Sequence, residues 1–148
     1  MRDTLEPDRL VYGVEDGDPG HPAVAVLDEV YAPILVQGMP RLVMDYATAE
    51  LVKVAANSFL ATKISFINAM AEVCEATGAD VTRLADAIGL DERIGRKFLN
   101  AGIGFGGGCL PKDIRAFMAR AGELGADQAL TFLREVDAIN SRRRARMI

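Results

Sequence analysis

The feature that most constrains this fold is an unbroken run of helix-forming residues in the first half of the chain. From Asp45 to Thr77 the sequence contains neither proline nor glycine, and its composition favours a helix. Asp45 has the side chain of an N-cap, and Gly78 follows where a C-terminal glycine is expected. The segment predicts one helix about 50 Å long at about 1.5 Å per residue. A small domain has little use for such a length, so we expect part of the helix to pack on something outside the domain.

Polar side chains within this predicted helix recur at three- and four-residue spacing and so form one stripe. The stripe consists of Glu50, Lys53, Asn57, Ser65, Asn68, Glu72 and Glu75, with Ala61 filling the gap. Nearly all other residues are apolar, which predicts a helix buried on most sides. Two interpretations stay open. Either this is a central core helix with one solvated edge, or it crosses its own copy in a dimer while the stripe faces a site.

The residues before this helix differ in character. The apolar run from Leu10 to Val14 predicts a strand, and the Gly/Pro/Asp cluster after it predicts a turn. Pro22 suits the first turn of a helix that ends before Pro33, and a second apolar run, RLVM, precedes Asp45. These pieces are too few to form a sheet alone, so we interpret them as the tail of a larger strand-rich unit.

Shorter helices are predicted after the long one. They cover the segments VTRLADAIG, KDIRAFMARAGELG and ADQALTFLREVDAINSRRRARMI, which are separated by turns. The arginine-rich end of the last segment is typical of a solvated helix end whose charges complement the helix dipole.

Length and composition exclude several classes of protein. A chain of 148 residues fits one domain, and a net charge of −4 argues against a nucleic-acid-binding domain. No apolar run reaches the ~18 residues of a membrane span, and the start lacks a signal-peptide core. Two cysteines are too few for a disulfide framework or a zinc site. We therefore expect a cytoplasmic protein with reduced thiols, no metal, no membrane contact and no nucleic-acid partner.

The segment GIGFGGGCLPKD, residues 102–113, concentrates glycines before Cys109. Its GIGFGG matches the spacing of a dinucleotide-binding turn, but no strand is predicted before it. A Walker loop is excluded because Pro111 precedes Lys112 and Asp113 follows it. The segment is then either a flexible surface loop with a neutral thiol or the site of a nucleophilic cysteine.

The nucleophile hypothesis rests on the surroundings of Cys109. Glycines let a main chain approach a ligand closely and turn its N–H groups toward an anion. A helix predicted to begin near Lys112 or Asp113, and the Lys112 ammonium itself, would both favour the thiolate. The Asp113 carboxylate can act as a base or as a hydrogen-bond anchor. Cys74, by contrast, lies among apolar residues of the long helix, where we expect inert packing.

Two long motifs make the chain resemble the UDP-glucose/GDP-mannose dehydrogenase family. They are ELVKVAANSFLATKISFINAMAEVCEATGADV and DERIGRKFLNAGIGFGGGCLPKDIRAF. The resemblance is greatest to the members that oxidise UDP-glucose. Members of the family oxidise C6 of a nucleotide sugar from alcohol to acid, using two molecules of NAD in succession. They have an N-terminal Rossmann domain for NAD, a central helical dimerisation domain and a C-terminal nucleotide-binding domain.

The resemblance implies a mainly α fold. It would be a helical dimerisation domain built on one long central helix, preceded by a short α/β remnant of an N-terminal Rossmann domain. Residues 1–40 would be the end of the NAD-binding domain and residues 41–148 the central dimerisation and catalytic domain, with the C-terminal nucleotide-binding domain absent. We expect a homodimeric fragment, inactive by itself, of an enzyme that oxidises UDP-glucose to UDP-glucuronate for polysaccharide synthesis.

The family's catalytic residues carry over by motif. Cys109 matches the nucleophile that captures the aldehyde as a thiohemiacetal and becomes a thioester. Lys53 and Asn57, which the i, i+4 spacing puts on one helix face, match the pair that stabilises the oxyanion and holds the sugar hydroxyl or the hydrolytic water. Asp113 matches the aspartate beside that water. Lys112 matches a lysine near the diphosphate of NAD, whose site would be incomplete in this chain.

The nucleotide-sugar site is implied in the same way. Main chain that wraps the sugar and its diphosphate matches Phe98, Leu99, Asn100, Ala101 and Gly102. Gly106 matches a glycine that packs against the sugar. Arg93 resembles an arginine that reaches across the dimer into the partner's substrate site, which would explain why the long helix is shared between subunits.

The sequence also departs from the family pattern. GGGC replaces the commoner GGSC beside the nucleophile, and the chain carries no NAD fingerprint, no general-base glutamate of the N-terminal domain and no nucleotide domain. Two alternatives therefore stay open. One is a standalone helical dimerisation module without catalysis. The other is a fragment of a GDP-mannose or UDP-N-acetylmannosamine dehydrogenase, since those enzymes share the motifs.

Overall fold

A computed structural model describes residues 6–146 of the chain. These residues belong to two compact units, one ending at Lys53 and one beginning at Val54, and the division falls inside the long helix. The domain boundary after residue 40 was assigned from family resemblance, and it stays a prediction.

The first unit contains a parallel pair of strands with two helices between them in sequence. β1 (Leu10–Val14) pairs with β2 (Arg41–Asp45). α1 (Pro22–Val30) and α2 (Ala32–Leu35) lie in the connection, because parallel strands need a crossover rather than a tight hairpin. The predicted strand and the predicted helix that ends before Pro33 are confirmed, and the second apolar run forms β2.

The core of the first unit forms where one face of the strand pair meets α1. Tyr12 and Val14 of β1 and Val24 of α1 are its buried residues. The side chain of Val43, opposite Tyr12 in the strand register, packs partly buried against them. Two strands and one helix can bury only a small cluster. The expected tail of a larger strand-rich unit stays a prediction.

The long helix predicted from the sequence is α3 (Tyr46–Thr77). Asp45 caps it: the carboxylate accepts the Thr48 N–H at 2.9 Å and the Thr48 hydroxyl at 2.8 Å. These hydrogen bonds hold the pKa of Asp45 below its usual range. At the other end Gly78 has a φ of +75°, and the Ala79 N–H donates to the Cys74 carbonyl at 3.0 Å. Both predicted ends of the helix are thereby confirmed.

Three further helices build the second unit together with α3. They are α4 (Val81–Gly89), α5 (Leu110–Glu123) and α6 (Thr131–Ala145), and a 3-10 turn (Asp127–Leu130) precedes α6. Residues 90–109, between α4 and α5, form turns and bends. The first two predicted helices are confirmed, and the third is confirmed from Thr131 to Ala145; its predicted first residues form the 3-10 turn, and its last two, Met147 and Ile148, lie outside the described residues. The irregular segment contains most of the predicted site residues.

Two buried clusters hold the second unit together. One joins α3, α5 and α6 through Ala61, Phe105, Ile114, Leu133 and Val136. The other joins α3, α4 and the irregular segment through Ile67, Ala85 and Leu99. The irregular segment therefore contributes a residue to each cluster, which packs it against the helices.

The polar stripe of α3 is a buried face over its middle part. Asn57, Ala61, Ser65 and Asn68 are almost completely buried. Their small side chains allow close packing, and most of their polar atoms find partners; the Ser65 hydroxyl, for example, donates to the Val136 carbonyl at 2.8 Å. The interpretation of the stripe as a solvated edge is therefore wrong for this part of the helix.

The exposed face of α3 in the second unit is apolar. Phe59, Phe66 and Val73 recur at heptad spacing and are 65%, 47% and 53% exposed. Periodicity alone predicted burial of these side chains, and heptad apolar spacing is typical of a helix that packs on another helix. The buried part of the stripe thus faces α5, α6 and the irregular segment, while the apolar face is left uncovered.

Candidate active site

Cys109 lies immediately before α5, and its side chain is exposed. Its carbonyl accepts the Asp113 N–H at 2.9 Å, which is the first hydrogen bond of the helix. α5 begins at Leu110, earlier than the start predicted near Lys112, because Pro111 fits the first turn, where its missing N–H costs nothing. The positive partial charge of a helix N-terminus therefore lies beside the thiol.

α3 and α5 bring Asn57 and Asp113 together. Asn57 Nδ2 donates to Asp113 Oδ2 at 2.6 Å, so the amide holds the carboxylate in one orientation. Lys112 Nζ lies 3.6 Å from Asp113 Oδ1, and its side chain is 74% exposed, whereas that of Asp113 is only 14% exposed. Asp113 follows Cys109 by one helical turn. Thiol, carboxylate and amide thus lie at one end of α5, while their catalytic roles stay predictions.

Lys53 precedes Asn57 by four positions in the continuous helix α3. Its side chain is exposed. Lys53 belongs to the first compact unit and Asn57 to the second, so the helix alone sets their spacing. The role of Lys53 at the oxyanion stays a prediction.

The predicted substrate loop, residues 98–102, is organised by Arg96. One guanidinium nitrogen donates to the Leu99 carbonyl at 2.8 Å and to Asn100 Oδ1 at 2.8 Å. Another donates to Asp86 of α4 at 2.6 Å. A single side chain therefore fixes the loop's main chain to the neighbouring helix.

The side chains of this loop point in different directions. Leu99 is buried in the second cluster, whereas Phe98 is partly exposed and has a φ of +67°, unusual for a residue with a side chain. Asn100 and Gly102 are exposed, and Ala101 is partly buried. With the Leu99 side chain inside the core, the loop can offer a ligand its main chain and the Phe98 ring.

Two helices hold the main chain after this loop. The Gly102 N–H donates to Asn68 Oδ1 of α3 at 2.9 Å. The Gly102 carbonyl accepts a hydrogen bond from Nε of Arg143, in α6, at 2.9 Å. Asn140 of α6 bonds both main-chain groups of Phe105: its Oδ1 accepts the N–H at 2.7 Å, and its Nδ2 donates to the carbonyl at 3.0 Å. The segment from Gly102 to Phe105 is therefore fixed at both ends.

Gly104 is the glycine whose close approach the structure explains. It has a φ of +96°, and a Cβ at this position would overlap Asn140 Oδ1. Gly106, Gly107 and Gly108 differ, because a Cβ on any of them would meet no atom within 4 Å. The predicted contact of Gly106 with a sugar is therefore sterically open, and it stays a prediction.

Arg93 lies on the side of the molecule where the apolar face of α3 is exposed. Its guanidinium pairs with Asp91, with Nη2 2.6 Å from Oδ2. This hydrogen bonding holds the pKa of Asp91 below its usual range and raises that of Arg93. Arg93, Phe59, Phe66 and Ile94 help to line an apolar hollow of about 360 Å³. The arginine is thus solvent-accessible beside an apolar surface, and its reach into a partner stays a prediction.

Two arginines near the end of α6 pair with α3, whereas Arg144 between them is exposed. Arg143 is only 17% exposed and lies 3.2 Å from Glu75 of α3, and Arg146 lies 2.8 Å from the same carboxylate. The hydrogen bonds from Arg146 and Arg143 hold the pKa of Glu75 below its usual range. The interpretation as a free helix end is therefore wrong here, because Glu72 and Glu75 supply complementary charge.

Sequence reasoning did not identify Arg96, Asn140 or Arg143, and it identified Asn68 only as part of the stripe. One signal was available for Asn140: it follows Leu133 and Val136 at helical spacing, where an apolar residue belongs. A polar residue at a core position indicates a buried hydrogen-bonding role.

The described residues offer little to a metal or to NAD. Between residues 6 and 146 no group of three or more His, Cys, Asp and Glu side chains could hold a metal ion, and no helix there is long and apolar enough to cross a membrane. For NAD, the GIGFGG turn follows no strand, and Lys112 is the one assigned contact. These residues do not by themselves fit a dinucleotide site.

The chain is similar to known proteins over most of its length. The model of the UDP-glucose/GDP-mannose dehydrogenase family, central domain, matches residues 47–142. A solved structure of a UDP-glucose dehydrogenase from the hyperthermophilic archaeon Pyrobaculum islandicum matches 95% of this chain and 31% of its own, with a TM-score of 0.84 and 42% identity.

Curated relatives are similar over most of this chain. The UDP-glucose 6-dehydrogenase of Rickettsia typhi is 53% identical over 116 residues, which are 78% of this chain and 26% of the relative. That of Rhizobium meliloti is 44% identical over 147 residues, 99% of this chain and 33% of the relative. The chain thus spans a quarter to a third of the length of these relatives. With its thiol, its paired amide and its glycine segment in the matched region, the chain belongs to the UDP-glucose/GDP-mannose dehydrogenase family.

Proposed function

We propose that this chain is the thiol-bearing central part of an NAD-dependent UDP-glucose 6-dehydrogenase, which oxidises UDP-glucose to UDP-glucuronate. The observation that carries the proposal is the exposed Cys109 thiol at the start of α5, one turn before an aspartate oriented by Asn57. The substrate follows from the relatives, several of which are named UDP-glucose 6-dehydrogenase. GDP-mannose and UDP-N-acetylmannosamine are the alternative substrates.

In this proposal Cys109 carries the covalent chemistry. Its sulfur bonds to the C6 aldehyde carbon, and the resulting hemiacetal oxygen takes a proton. After oxidation to the thioester, water attacks the same carbon and the C–S bond breaks, which releases the acid and regenerates the thiol. The Asp113 carboxylate, held by Asn57, is positioned to bind that water. Lys53 would stabilise negative charge on the oxygen.

The substrate loop would hold the nucleotide sugar through its main chain. Residues 98–102 and Gly106 precede Cys109 in sequence, and a Cβ on Gly106, Gly107 or Gly108 would meet no atom within 4 Å, so the main chain there is open to a ligand. Such close main-chain contact is what glycine permits.

NAD would accept the two hydrides, and this chain would contribute Lys112 near its diphosphate. Since the described residues do not fit the cofactor, no hydride-transfer step is assigned to them. We expect the chain alone not to turn over, and we place the enzyme in the cytoplasm, where free thiols stay reduced.

A second copy of the chain is the proposed occupant of the apolar face of α3. The heptad spacing of Phe59, Phe66 and Val73 supports pairing with an identical helix. Arg93 lies beside the same hollow, from which its guanidinium could leave Asp91 and enter the partner's substrate site.

The proposal is tested by grafting the chain into a relative. In the UDP-glucose 6-dehydrogenase of Bacillus subtilis that is 48% identical over 125 residues, the matching segment is replaced by this chain. NADH formation from UDP-glucose and NAD is then followed by absorbance. We expect turnover in the graft, its loss in Cys109→Ser and its retention in Cys74→Ala, because Cys74 is buried.

A graft that folds and dimerises but forms no NADH would contradict the proposal. That result would favour the standalone dimerisation module. Turnover that survives Cys109→Ser would leave the enzyme class standing but would overturn the role of the thiol. NADH formation by the isolated chain would contradict its expected inactivity.

A further inference from the structure

The segment between the substrate loop and the glycine run has an unusual set of main-chain partners. Residues 102–105 lie outside any helix or strand, yet four of their main-chain polar groups bond to side chains. The partners are Asn68 of α3 and Asn140 and Arg143 of α6. Side chains rather than neighbouring main chain thus determine the conformation of this segment.

Asn140 is a buried amide that makes both of its bonds to one residue. It is 3% exposed, and the Phe105 N–H and carbonyl occupy its oxygen and nitrogen respectively. Gly104 leaves no room for a Cβ beside the amide oxygen. A buried polar group that is fully satisfied in one arrangement disfavours every other arrangement, since each would leave it unpaired.

Asn68 fits a positioning role better than a stabilising one. It is 1% exposed, its Oδ1 accepts the Gly102 N–H, and its Nδ2 has no partner among residues 6–146. An unpaired buried N–H group is costly. A leucine would fill similar space without that cost, so the asparagine is accounted for by its hold on Gly102.

We propose that Asn68, Asn140 and Arg143 are positioning residues that hold residues 102–105 in one main-chain conformation, between the substrate loop and the glycine run before Cys109. The importance of this conformation for catalysis rests on the proposed function, but the hydrogen bonds that hold it do not. We call these three side chains the clamp. Arg143 also joins the charge cluster of Glu72, Glu75, Arg143 and Arg146, because its guanidinium bonds both the Gly102 carbonyl and Glu75.

Amide hydrogen exchange of the 148-residue chain, read residue by residue by NMR, tests the clamp without any activity. In the unaltered chain the Gly102 and Phe105 amides should exchange at least about 100-fold more slowly than in an unfolded peptide. Asn68→Leu should speed exchange at Gly102 at least about tenfold, with Phe105 and the core amide of Val136 unchanged and the melting temperature equal or higher.

Gly104→Ala disturbs the clamp at Asn140 instead of Asn68, and it is the second variant if Asn68→Leu does not fold. The added methyl displaces the Asn140 amide, so exchange at Phe105 should rise at least about tenfold while Val136 is little affected. Ser141→Ala, at an exposed neighbour of Asn140, is the control and should change neither amide.

Three outcomes would contradict the clamp. The Gly102 and Phe105 amides could be unprotected in the unaltered chain, or their exchange rates could stay the same in the variants. The exchange rates of all amides could also rise together, which would make these residues contributors to global stability only. Because no nucleotide sugar is involved, each result is independent of the graft experiment on the proposed function.

Discussion

The two cysteines of this chain have opposite surroundings. Cys109 is exposed at the start of α5, and Cys74 is buried in α3. We predict that iodoacetamide alkylates Cys109 in the folded chain at least about 100-fold faster than Cys74, because a buried thiol reacts only when the structure opens. Mass spectrometry of the intact chain and its peptides measures both rates.

The control for that experiment is the same reaction in denaturant, where the two rates should become similar. Cys109→Ser should leave a folded chain that is almost unlabelled. Rapid labelling of Cys74 in the folded chain would contradict its burial.

The Asn57 amide holds a carboxylate that is mostly buried. Asn57→Ala removes the hydrogen bond to Asp113 and leaves that carboxylate without its 2.6 Å partner. We expect a loss of about 1–3 kcal/mol in the free energy of unfolding, measured by urea denaturation.

Gln128→Ala provides the matched control. It removes an amide–carboxylate hydrogen bond of 3.0 Å to Asp127, but at an exposed position. We expect a change of about 0.5 kcal/mol or less. Equal losses in the two variants would mean that the surroundings of Asp113 add nothing to the bond.

Secondary elements were the scale at which prediction succeeded. The strand at Leu10–Val14 and the helix α3 follow from local signals, because turn residues, caps and the lack of Pro and Gly act within a few positions. The start of α5 was predicted late because Pro111 was not placed in the first turn. The capping residues Asp45 and Gly78 were identified correctly because each acts on its own helix end.

The charge cluster between α3 and α6 predicts a pH dependence of stability. Arg146 and Arg143 lower the pKa of Glu75 in the folded chain below its ordinary value of 4.5. The stabilisation is therefore complete above the unfolded pKa and is lost as the pH falls through the lowered folded pKa. Glu75→Gln should reduce stability at neutral pH, and the difference from the unaltered chain should shrink below about pH 4.

The measurement is the free energy of unfolding of both proteins across this pH range, repeated at high salt. Glu135→Gln, at an exposed position of α6, is the matched control for loss of a carboxylate. A Glu75→Gln effect that stays constant at acid pH would exclude the ion pairs as its cause.

At the scale of the whole molecule, the apolar face of α3 predicts self-association. Light scattering of the chain over a range of concentrations should give the mass of a dimer. Phe66→Glu places a charge in the middle of the face and should weaken the dimer at least about tenfold.

Leu124→Glu is the control, since Leu124 is an exposed apolar residue at the end of α5, away from that face. A monomer at every concentration would contradict both the sharing of α3 between subunits and the role of Arg93 in a partner's site. Equal weakening by the two variants would place the interface elsewhere.

The candidate site could be predicted only in part. The nucleophile hypothesis for Cys109 came from its neighbours in sequence, and it stays a prediction. The contacts of Asn68 and Asn140 with the glycine segment could not be predicted, because each spans more than 30 residues. Hydrophobic periodicity also misjudged α3, since it records which residues are polar and not which of them find buried partners.

The sequence by itself determined most of the helices and strands, the caps of α3 and the family, because these depend on local spacing and on motifs. Only the tertiary structure decided which face of α3 is buried. The small polar residues go inside because the chain folds back and satisfies their hydrogen bonds, and this leaves the phenylalanines outside. It also decided that Arg143 and Arg146 are docked, because their carboxylate partner lies on a helix distant in sequence.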